Sequence, residues 1–305
     1  MNGIFTIDTL RDTVACHKAM QSLPSPENTS YTKYLNLLGI TYIGIVDSSS
    51  KAMHGSSYGT KCYFVYLLPA NSAGSYIDGT VTRPINVCPN SAHCREACLA
   101  GSGHARVEHL AGKDNIYRAR LLKTKLFYER PDIFYAMVER EIVTENELAM
   151  KKRFDFCVRL NATSDIDHSR YTFPTGGNIF ERHPDIQFYD YTKVPGRLGL
   201  ASRYENVFLT LSYNGYNEAI CTESMAQGFG VAVVFKGDLP EEWMGYPVIN
   251  GDLFDMRFFD KTYYGIPKKM GYVVGLKYKP VFSDYKGGKF IGPKESKFIV
   301  ESKIA

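Results

Sequence analysis

Residues 154–161, with the sequence FDFCVRLN, alternate apolar and polar side chains and open the series of strands that decides the fold. This alternation is typical of a β-strand whose two faces differ. Asp155, Cys157, Arg159 and Asn161 share its polar face. Further strand-like runs occupy residues 61–68, 186–193, 206–212, 230–236, 247–249 and 272–277.

Helical patterns separate several of these runs, at residues 178–182, 198–204 and 217–227. A longer helical pattern covers residues 104–152, and Pro131 divides it into two helices because proline favours the first turn of a helix. Strands that alternate with helices predict an α/β fold with mainly parallel strands. We expect a partial or complete (β/α) barrel. An open doubly wound sheet is the alternative, since strand order cannot be read from the sequence.

The chain divides into three predicted regions. Residues 1–60 form a small peripheral N-terminal region around one strand at 40–46, residues 61–280 form the barrel-like domain, and residues 281–305 form a lysine-rich tail. The net charge of +4 arises from Lys277 onwards, so the remainder is neutral. A neutral body argues against a basic nucleic-acid-binding surface. There is no apolar run of about 18 residues and no secretory signal, so we expect neither a membrane span nor export.

Three of the seven cysteines lie within eleven residues, in the spacing C-x5-C-x3-C. Cys94 and Cys98 are four residues apart, so one helical turn would place both thiolates on one face. Together with Cys88 they would form a set of three thiolates. Three thiolates without a fourth suit a [4Fe–4S] cluster with one open iron. Zinc is an alternative, although structural zinc sites usually contain paired C-x2-C sequences. The third possibility is that these cysteines are buried apolar residues that bind no metal.

Other candidate ligands near or beyond this segment are less persuasive. We expect surface or helix-capping roles for His93, His104 and His109. Cys221 is a weaker candidate for a fourth cluster ligand. Cys157 lies inside a strand, where we expect it to be packed in the core.

Polar side chains follow three successive predicted strands. Arg159 and Asn161 end the first, Lys193 ends the second and Ser212 ends the third. In barrel-like α/β folds the sites gather at the carboxyl ends of strands, so we expect these four residues to line a polar cavity. Arg159 and Lys193 would hold an anionic group there. Downstream, the block GDLFDMRFFD at 251–260 predicts a turn held by an Asp–Arg pair, with an acidic metal-binding loop as the alternative.

The ordered series of motifs resembles the phage "gene product 88" domain family. It comprises the cysteine segment, Asn115, Arg118 and Lys123-Thr124, then RLNATSD at 159–165, FYDYTK at 188–193, LTLS at 209–212 and the 251–260 block. The resemblance covers residues 62–278. It implies a protein encoded by a tailed bacteriophage that acts in the host bacterial cytoplasm.

The sequence is also similar to radical S-adenosylmethionine enzymes, in which a three-cysteine loop follows the first strand of a partial barrel. Those enzymes typically have C-x3-C-x2-C, and no glycine-rich methionine-binding strand is evident here. This likeness therefore supports the cluster and the barrel more than radical chemistry, and S-adenosylmethionine is a cofactor without a supporting motif.

These observations favour an iron–sulfur protein whose open iron faces the cavity and whose partner is a small molecule. An enzyme is favoured over a pure binding protein, with the reaction type open. One alternative is a nucleic-acid or phage-replication accessory protein with a structural cluster, based on the basic residues between Arg118 and Lys125 and on the lysine-rich tail. The other is a radical S-adenosylmethionine-like enzyme.

Overall fold

The fold is built around one large sheet with helices on both of its faces. A computed structural model describes residues 4–48, 50–91, 94, 98, 107–108, 111–279 and 297–302. Its strands are β1 Gly44–Val46, β2 Thr60–Val65, β3 Ser75–Asp78, β4 Val81–Pro84, β5 Asp155–Arg159, β6 Gln187–Thr192, β7 Val207–Ser212, β8 Gly230–Lys236, β9 Glu242–Trp243, β10 Tyr246–Asn250, β11 Tyr272–Lys277 and β12 Ile299–Glu301.

Ten of these strands form a mostly parallel sheet in the order β1-β2-β5-β6-β7-β8-β11-β10-β9, and β12 pairs with β8. Only the β1–β2 and β9–β10 pairs are antiparallel. β3 and β4 form a separate hairpin. The prediction of an α/β fold with mainly parallel strands is therefore confirmed. A closed barrel is not seen, because within the described residues β1 and β9 are the two unpaired ends of the strand order.

Helices connect the strands and cover the sheet. They are α1 Ile7–Arg11, α2 Thr13–Gln21, α3 Tyr31–Leu38, α4 Ser50–Ser57, α5 Asn115–Glu129, α6 Pro131–Lys151, α7 Ile179–Arg182, α8 Gly199–Arg203, α9 Glu218–Ala226 and α10 Asp260–Tyr264. Pro131 begins α6, as its fixed backbone angle favours. Asn178 and Glu181 form a reciprocal capping box at the start of α7. No helix in the described ranges is long and apolar enough to cross a membrane.

The two faces of the sheet pack against different elements. On one face, Val158 and Phe188 share a large core with residues of α5 and α6. On the other face, Phe64, Cys157 and Tyr189 pack with residues of α4 and of the segment after β10. We call this second side the α4 face. Both faces of the central strands are thus covered, which explains the continuous apolar sequences of β8 and β11.

The strand predictions agree closely with the structure, whereas the peripheral regions contain more structure than the sequence suggested. β8 and β11 have the predicted bounds, and the strand expected at 40–46 is present as the shorter β1. Three unpredicted helices precede β1, and Leu10, Cys16 and Met20 from them lie in the large core. Of the predicted tail, residues 297–302 are described, and β12 lies there.

Candidate metal centre

Cys88 is held at the carboxyl end of the sheet by the hydrogen bonds of the preceding residue, Val87, and of its own amide. The amide of Val87 donates to the carbonyl of Ala70 at 3.0 Å, and the amide of Asp165 donates to the carbonyl of Val87 at 2.7 Å. The Cys88 amide donates to Asn86 Oδ1 at 3.0 Å. The start of the cysteine segment is therefore fixed between the chain that follows β2 and the loop that follows β5.

Two cysteines of the predicted cluster, Cys94 and Cys98, lie close enough to Cys88 to act on its thiol. All three are half-buried. Burial raises the pKa of Cys88 to about 12, and the nearby sulfurs of Cys98 and Cys94 act in the same direction, whereas a backbone hydrogen bond from Ala70 and the charge of Lys193 oppose it. The structure therefore brings the three thiols into one neighbourhood.

The local structure is described at Cys94 and Cys98 but not at the residues between them. Cys94 lies in a turn whose amide donates to the carbonyl of Ser91 at 2.9 Å, and Cys98 has no regular structure. Residues 95–97, through which the predicted helical turn would run, lie outside the described residues, so that turn stays a prediction. His93, His104 and His109 fall outside the described residues.

Lys193 is the predicted cavity residue that the structure brings to the cysteines. Burial lowers its pKa, but the charges of Cys94, Asp165, Cys88 and Cys98 outweigh this effect and raise it. The side-chain amide of Asn90 donates to the Lys193 carbonyl at 2.9 Å, which ties the cysteine segment to the end of β6. In the described part of the chain, no carboxylate lies within salt-bridge distance of the Lys193 ammonium.

Asp165 organises this edge of the sheet, and the sequence reasoning did not place it in the site. Its carboxylate accepts hydrogen bonds from the Thr192 hydroxyl at 2.9 Å and from the Lys193 amide at 2.7 Å. It also accepts from the guanidinium of Arg197, which is 5% exposed. One carboxylate therefore joins the loop after β5, the end of β6 and the turn before α8.

Arg159 and Asn161, the two predicted cavity residues of β5, lie in internal networks. Arg159 donates from Nη1 to Asp255 Oδ2 at 2.8 Å. Asn161 donates from Nδ2 to Asp190 Oδ2 at 3.0 Å. Burial raises the pKa of Asp190 to about 6, although nearby arginines oppose this. Arg159 is consequently only partly available to a ligand, and Asn161 is largely committed.

Ser212 is buried at the end of β7, where its carbonyl accepts from Asn217 Nδ2 at 3.0 Å. In the block at 251–260, Arg257 and Asp260 form an Asp–Arg pair at 3.3 Å, as the sequence suggested. Asp255 of the same block instead pairs with Arg159 across the fold. Burial acts to raise the Asp255 pKa, but the Arg159 charge and other cations lower it overall.

The remaining candidate cysteines are packed in the protein. Cys221 is fully buried in α9 against the apolar residues Leu211 and Val231. Cys62 and Cys157 are register partners on β2 and β5, and their sulfurs are 2.6 Å apart. Cys157 is thus a core residue, as predicted.

Three of the four basic residues of α5 bind backbone carbonyls of other parts of the chain. Lys123 donates to the carbonyl of Ile43 at 2.8 Å, Lys125 donates to the carbonyl of Ser75, and Arg118 donates to the carbonyl of Phe5 at 3.1 Å. Both lysines are buried. These charges are therefore not arranged as a surface for phosphate groups, and the sequence support for a nucleic-acid role in this helix is removed.

Among the described residues, no group of three or more His, Cys, Asp or Glu side chains is arranged to hold a metal ion. A single ion draws its ligands to about 2.0–2.3 Å from one point. The thiolates of a four-iron cluster bind different iron atoms and therefore stand farther apart.

The comparison with protein-family models decides the family. The gene product 88 model matches residues 46–279. The chain belongs to the gene product 88 family. The match runs from the end of β1 past β11, so it includes the three cysteines, Asp165 and Lys193, and it leaves out α1–α3 and β12. The resemblance noted from the sequence motifs is confirmed, while nothing supports the likeness to radical S-adenosylmethionine enzymes. Comparisons of this gene product 88 protein with curated proteins and with solved structures gave no match.

Proposed function

We propose that this phage protein binds a [4Fe–4S] cluster through Cys88, Cys94 and Cys98, with one iron left open towards a polar cavity. The observation that carries the proposal is the electrostatic interaction of Cys88 with the sulfurs of Cys94 and Cys98, and of all three sulfurs with the Lys193 ammonium. Cysteine thiolates are the usual ligands of such clusters, and three of them leave one of the four irons without a cysteine ligand from this set.

The charge of the site supports the same assignment. Removing several thiolates from water is costly unless positive charge lies close to them. Lys193 interacts with all three sulfurs. The carboxylate of Asp165 already accepts hydrogen bonds from the Arg197 guanidinium and from the Lys193 amide. The Lys193 ammonium is therefore left to balance negative charge on the cysteine side.

The proposed activity is that of an enzyme on a small molecule, or of a ligand-binding site, in the host cytoplasm. When bound, an open iron supplies Lewis-acid chemistry or a position for a thiol or S-adenosylmethionine. The Lys193 ammonium binds an anionic group of the small molecule, together with the guanidinium nitrogens of Arg159 that do not donate to Asp255. Asn161 and Ser212 line the cavity without a direct chemical role.

Anaerobic purification tests the metal assignment. We expect a brown protein with broad absorption at about 400 nm, typical of thiolate-ligated iron–sulfur clusters. Alanine at Cys88, Cys94 or Cys98 should remove most of the iron. Cys221→Ala is the matched control, because this cysteine is buried in α9, and it should retain the iron.

Two results would overturn the proposal. A colourless protein with stoichiometric zinc would replace the iron assignment with a zinc site. Full iron retention in all three alanine variants would reject these ligands. Formation of 5′-deoxyadenosine from S-adenosylmethionine by the reduced protein would identify the open iron as the site of radical chemistry.

A further inference from the structure

The strand β12 lies at the carboxyl end of the sheet, where it continues the position of β7. β7 pairs with β8 as far as Ser212. Ile299–Glu301 of β12 pair with residues 234–236, which lie farther along β8. β11 pairs with β8 from its start to Phe235 and so fills the other side of that strand. β12 therefore occupies the side of β7, directly beyond the point where β7 ends.

This position brings the residue before β12 to the candidate metal centre. Thr192 of β6 pairs with Leu211 of β7, so Lys193 is level with the end of β7. The Lys193 ammonium lies 5.6 Å from the centroid of the Phe298 ring, within the distance of a cation–π contact. The same ammonium interacts electrostatically with the three sulfurs of the site. Phe298 therefore covers part of the cation that balances the charge of the cysteines.

The turn after β7 forms a seat for the chain that enters β12, and this seat requires glycine. Gly215 has a φ of +94°, a conformation that other residues rarely adopt. A Cβ atom there would lie 2.9 Å from the carbonyl carbon and oxygen of Lys297. The Lys297 ammonium lies 4.9 Å from the centroid of the adjacent Tyr216 ring. The close fit of Gly215 against Lys297 therefore fixes where β12 begins.

Fewer interactions hold β12 against β8 than hold β11 there. β12 pairs with β8 over three residues, whereas β11 pairs over six. Ile299 is the buried side chain of β12, and it packs only at the edge of the sheet, with Val234 and Tyr278. The ion pair of Lys236 with Glu301 is exposed and so contributes little. Because segments with few buried contacts open at a lower free energy than the whole protein unfolds, we expect β12 to open separately.

We propose that β12 is a releasable strap over the candidate metal centre. While β12 is paired with β8, Phe298 covers the Lys193 ammonium and closes this side of the site. When β12 leaves β8, the ammonium is exposed to the anionic group of a small molecule. The inference rests on the proposed function for the identity of the site and adds how that site opens.

Hydrogen exchange of the full-length protein, read by mass spectrometry, tests whether β12 opens separately from the sheet. After correction for intrinsic rates, the amides of β12 should exchange at least about tenfold faster than those of β11, a difference of about 1.4 kcal/mol in opening free energy. Both strands pair with β8, so the comparison is internal. Equal protection of β12 and β11 overturns the proposal.

Acetylation by N-hydroxysuccinimidyl acetate, read for each lysine by mass spectrometry, tests whether the strap covers Lys193. The exposed Lys151 is the reference within each sample. Gly215→Ala removes the seat of the strap, so acetylation of Lys193 relative to Lys151 should rise about tenfold. Gly176→Ala is the matched control, because Gly176 has a φ of +92° but nothing lies within 4 Å of its Cβ position. It should leave the relative rate at Lys193 unchanged.

Phe298→Ala removes the ring and leaves Gly215 and the pairing of β12 in place, so it should also raise the relative rate at Lys193. A rate that is unchanged in Phe298→Ala shows that the ring does not cover the ammonium and overturns the proposal. A rate that is unchanged in Gly215→Ala, or that rises equally in Gly176→Ala, overturns it as well, because the strap then does not control access.

Iron content and lysine acetylation are separate readouts, so the two proposals fail separately. A protein that lacks iron but whose Lys193 responds to Gly215→Ala rejects the cluster and keeps the strap. A protein that holds iron but whose Lys193 reacts alike in the wild type and in Gly215→Ala keeps the cluster and rejects the strap.

Discussion

At the scale of single residues, Asp165 connects three segments that surround the candidate metal centre. Its carboxylate accepts from Thr192, Lys193 and Arg197, and its amide donates to the carbonyl of Val87. It therefore orients Lys193 and fixes the residue next to Cys88. A side chain that touches no ligand can in this way decide whether the ligands are positioned.

Asp165→Asn preserves the shape of this side chain and removes its charge. The buried Arg197 guanidinium would then lose its direct ion-pair partner, which costs roughly 3 kcal/mol of unfolding free energy. Urea unfolding measures this loss, and iron content should fall with it. Asp78→Asn is the control, because its pair with Arg83 is exposed and so contributes little. Equal stability of the two variants would contradict this role of Asp165.

His168 makes the stability of the protein depend on pH. It is 1% exposed, and Tyr135 Oη lies 2.9 Å from its Nδ1. Burial, assisted by the Arg197 charge, lowers its pKa from 6.5 to about 3. Between these pH values the unfolded chain binds a proton that the folded chain does not, so stability is full above pH 6.5 and falls as the pH is lowered.

The expected loss between pH 6.5 and pH 5 is about 2 kcal/mol from this residue, because one pKa unit corresponds to about 1.4 kcal/mol. Urea unfolding of the wild type and of His168→Gln at both pH values separates the contribution of His168 from that of the carboxylates, which titrate in both proteins. The wild type should lose more stability than the variant. Parallel losses would show that His168 carries a proton in the folded protein.

At the scale of elements, α5 uses its basic residues to bind the N-terminal part of the chain. Arg118 bonds the carbonyls of Phe5 and Gly39, and Lys123 bonds that of Ile43. Sequence reasoning treated these charges as a candidate nucleic-acid surface, because buried lysines are rare. Their actual partners are backbone carbonyls brought close only by the tertiary fold.

Arg118→Ala tests this structural role of α5. Losing hydrogen bonds to two carbonyls should destabilise the protein by about 2 kcal/mol in urea unfolding. The protein should show no salt-dependent shift of nucleic acid on native gels before or after the substitution. A clear shift at low salt that Arg118→Ala abolishes without loss of stability would restore the nucleic-acid alternative.

The packing of α9 against the start of β11 depends on the absence of a side chain at Gly271. A Cβ atom there would lie 2.1 Å from the Met225 carbonyl oxygen, and this backbone atom cannot rotate away. Gly271→Ala should therefore lower the unfolding free energy by about 2 kcal/mol, as overpacking typically does. Gly196→Ala is the control, because nothing lies within 4 Å of its Cβ position. Unfolding midpoints that coincide would contradict this packing.

At the scale of the whole molecule, the sequence predicts those parts of the fold that local patterns encode. β8 and β11 are continuous apolar runs, so their bounds could be read directly. β12 is a three-residue strand whose place depends on pairing with β8, and no local pattern marks it. The order of strands, and therefore the unclosed sheet, also depends on long-range pairing.

The residues of the candidate metal centre, too, could be predicted only where a local sequence pattern indicates them. Cysteine spacing identified the three thiols, and strand alternation identified Lys193 at the end of β6. The pairing of Asp165 with Arg197 spans 32 residues, and the sequence around Arg197 contains no motif that indicates it.

The most direct test of the central claim is the count of iron, acid-labile sulfide and zinc per chain in anaerobically purified protein. We expect about four iron and four sulfide per chain and negligible zinc, as a [4Fe–4S] cluster requires. Reconstituted Cys88→Ala, Cys94→Ala and Cys98→Ala proteins should each fall well below this ratio. One zinc per chain without sulfide, or the same iron count in all three variants, would contradict the account.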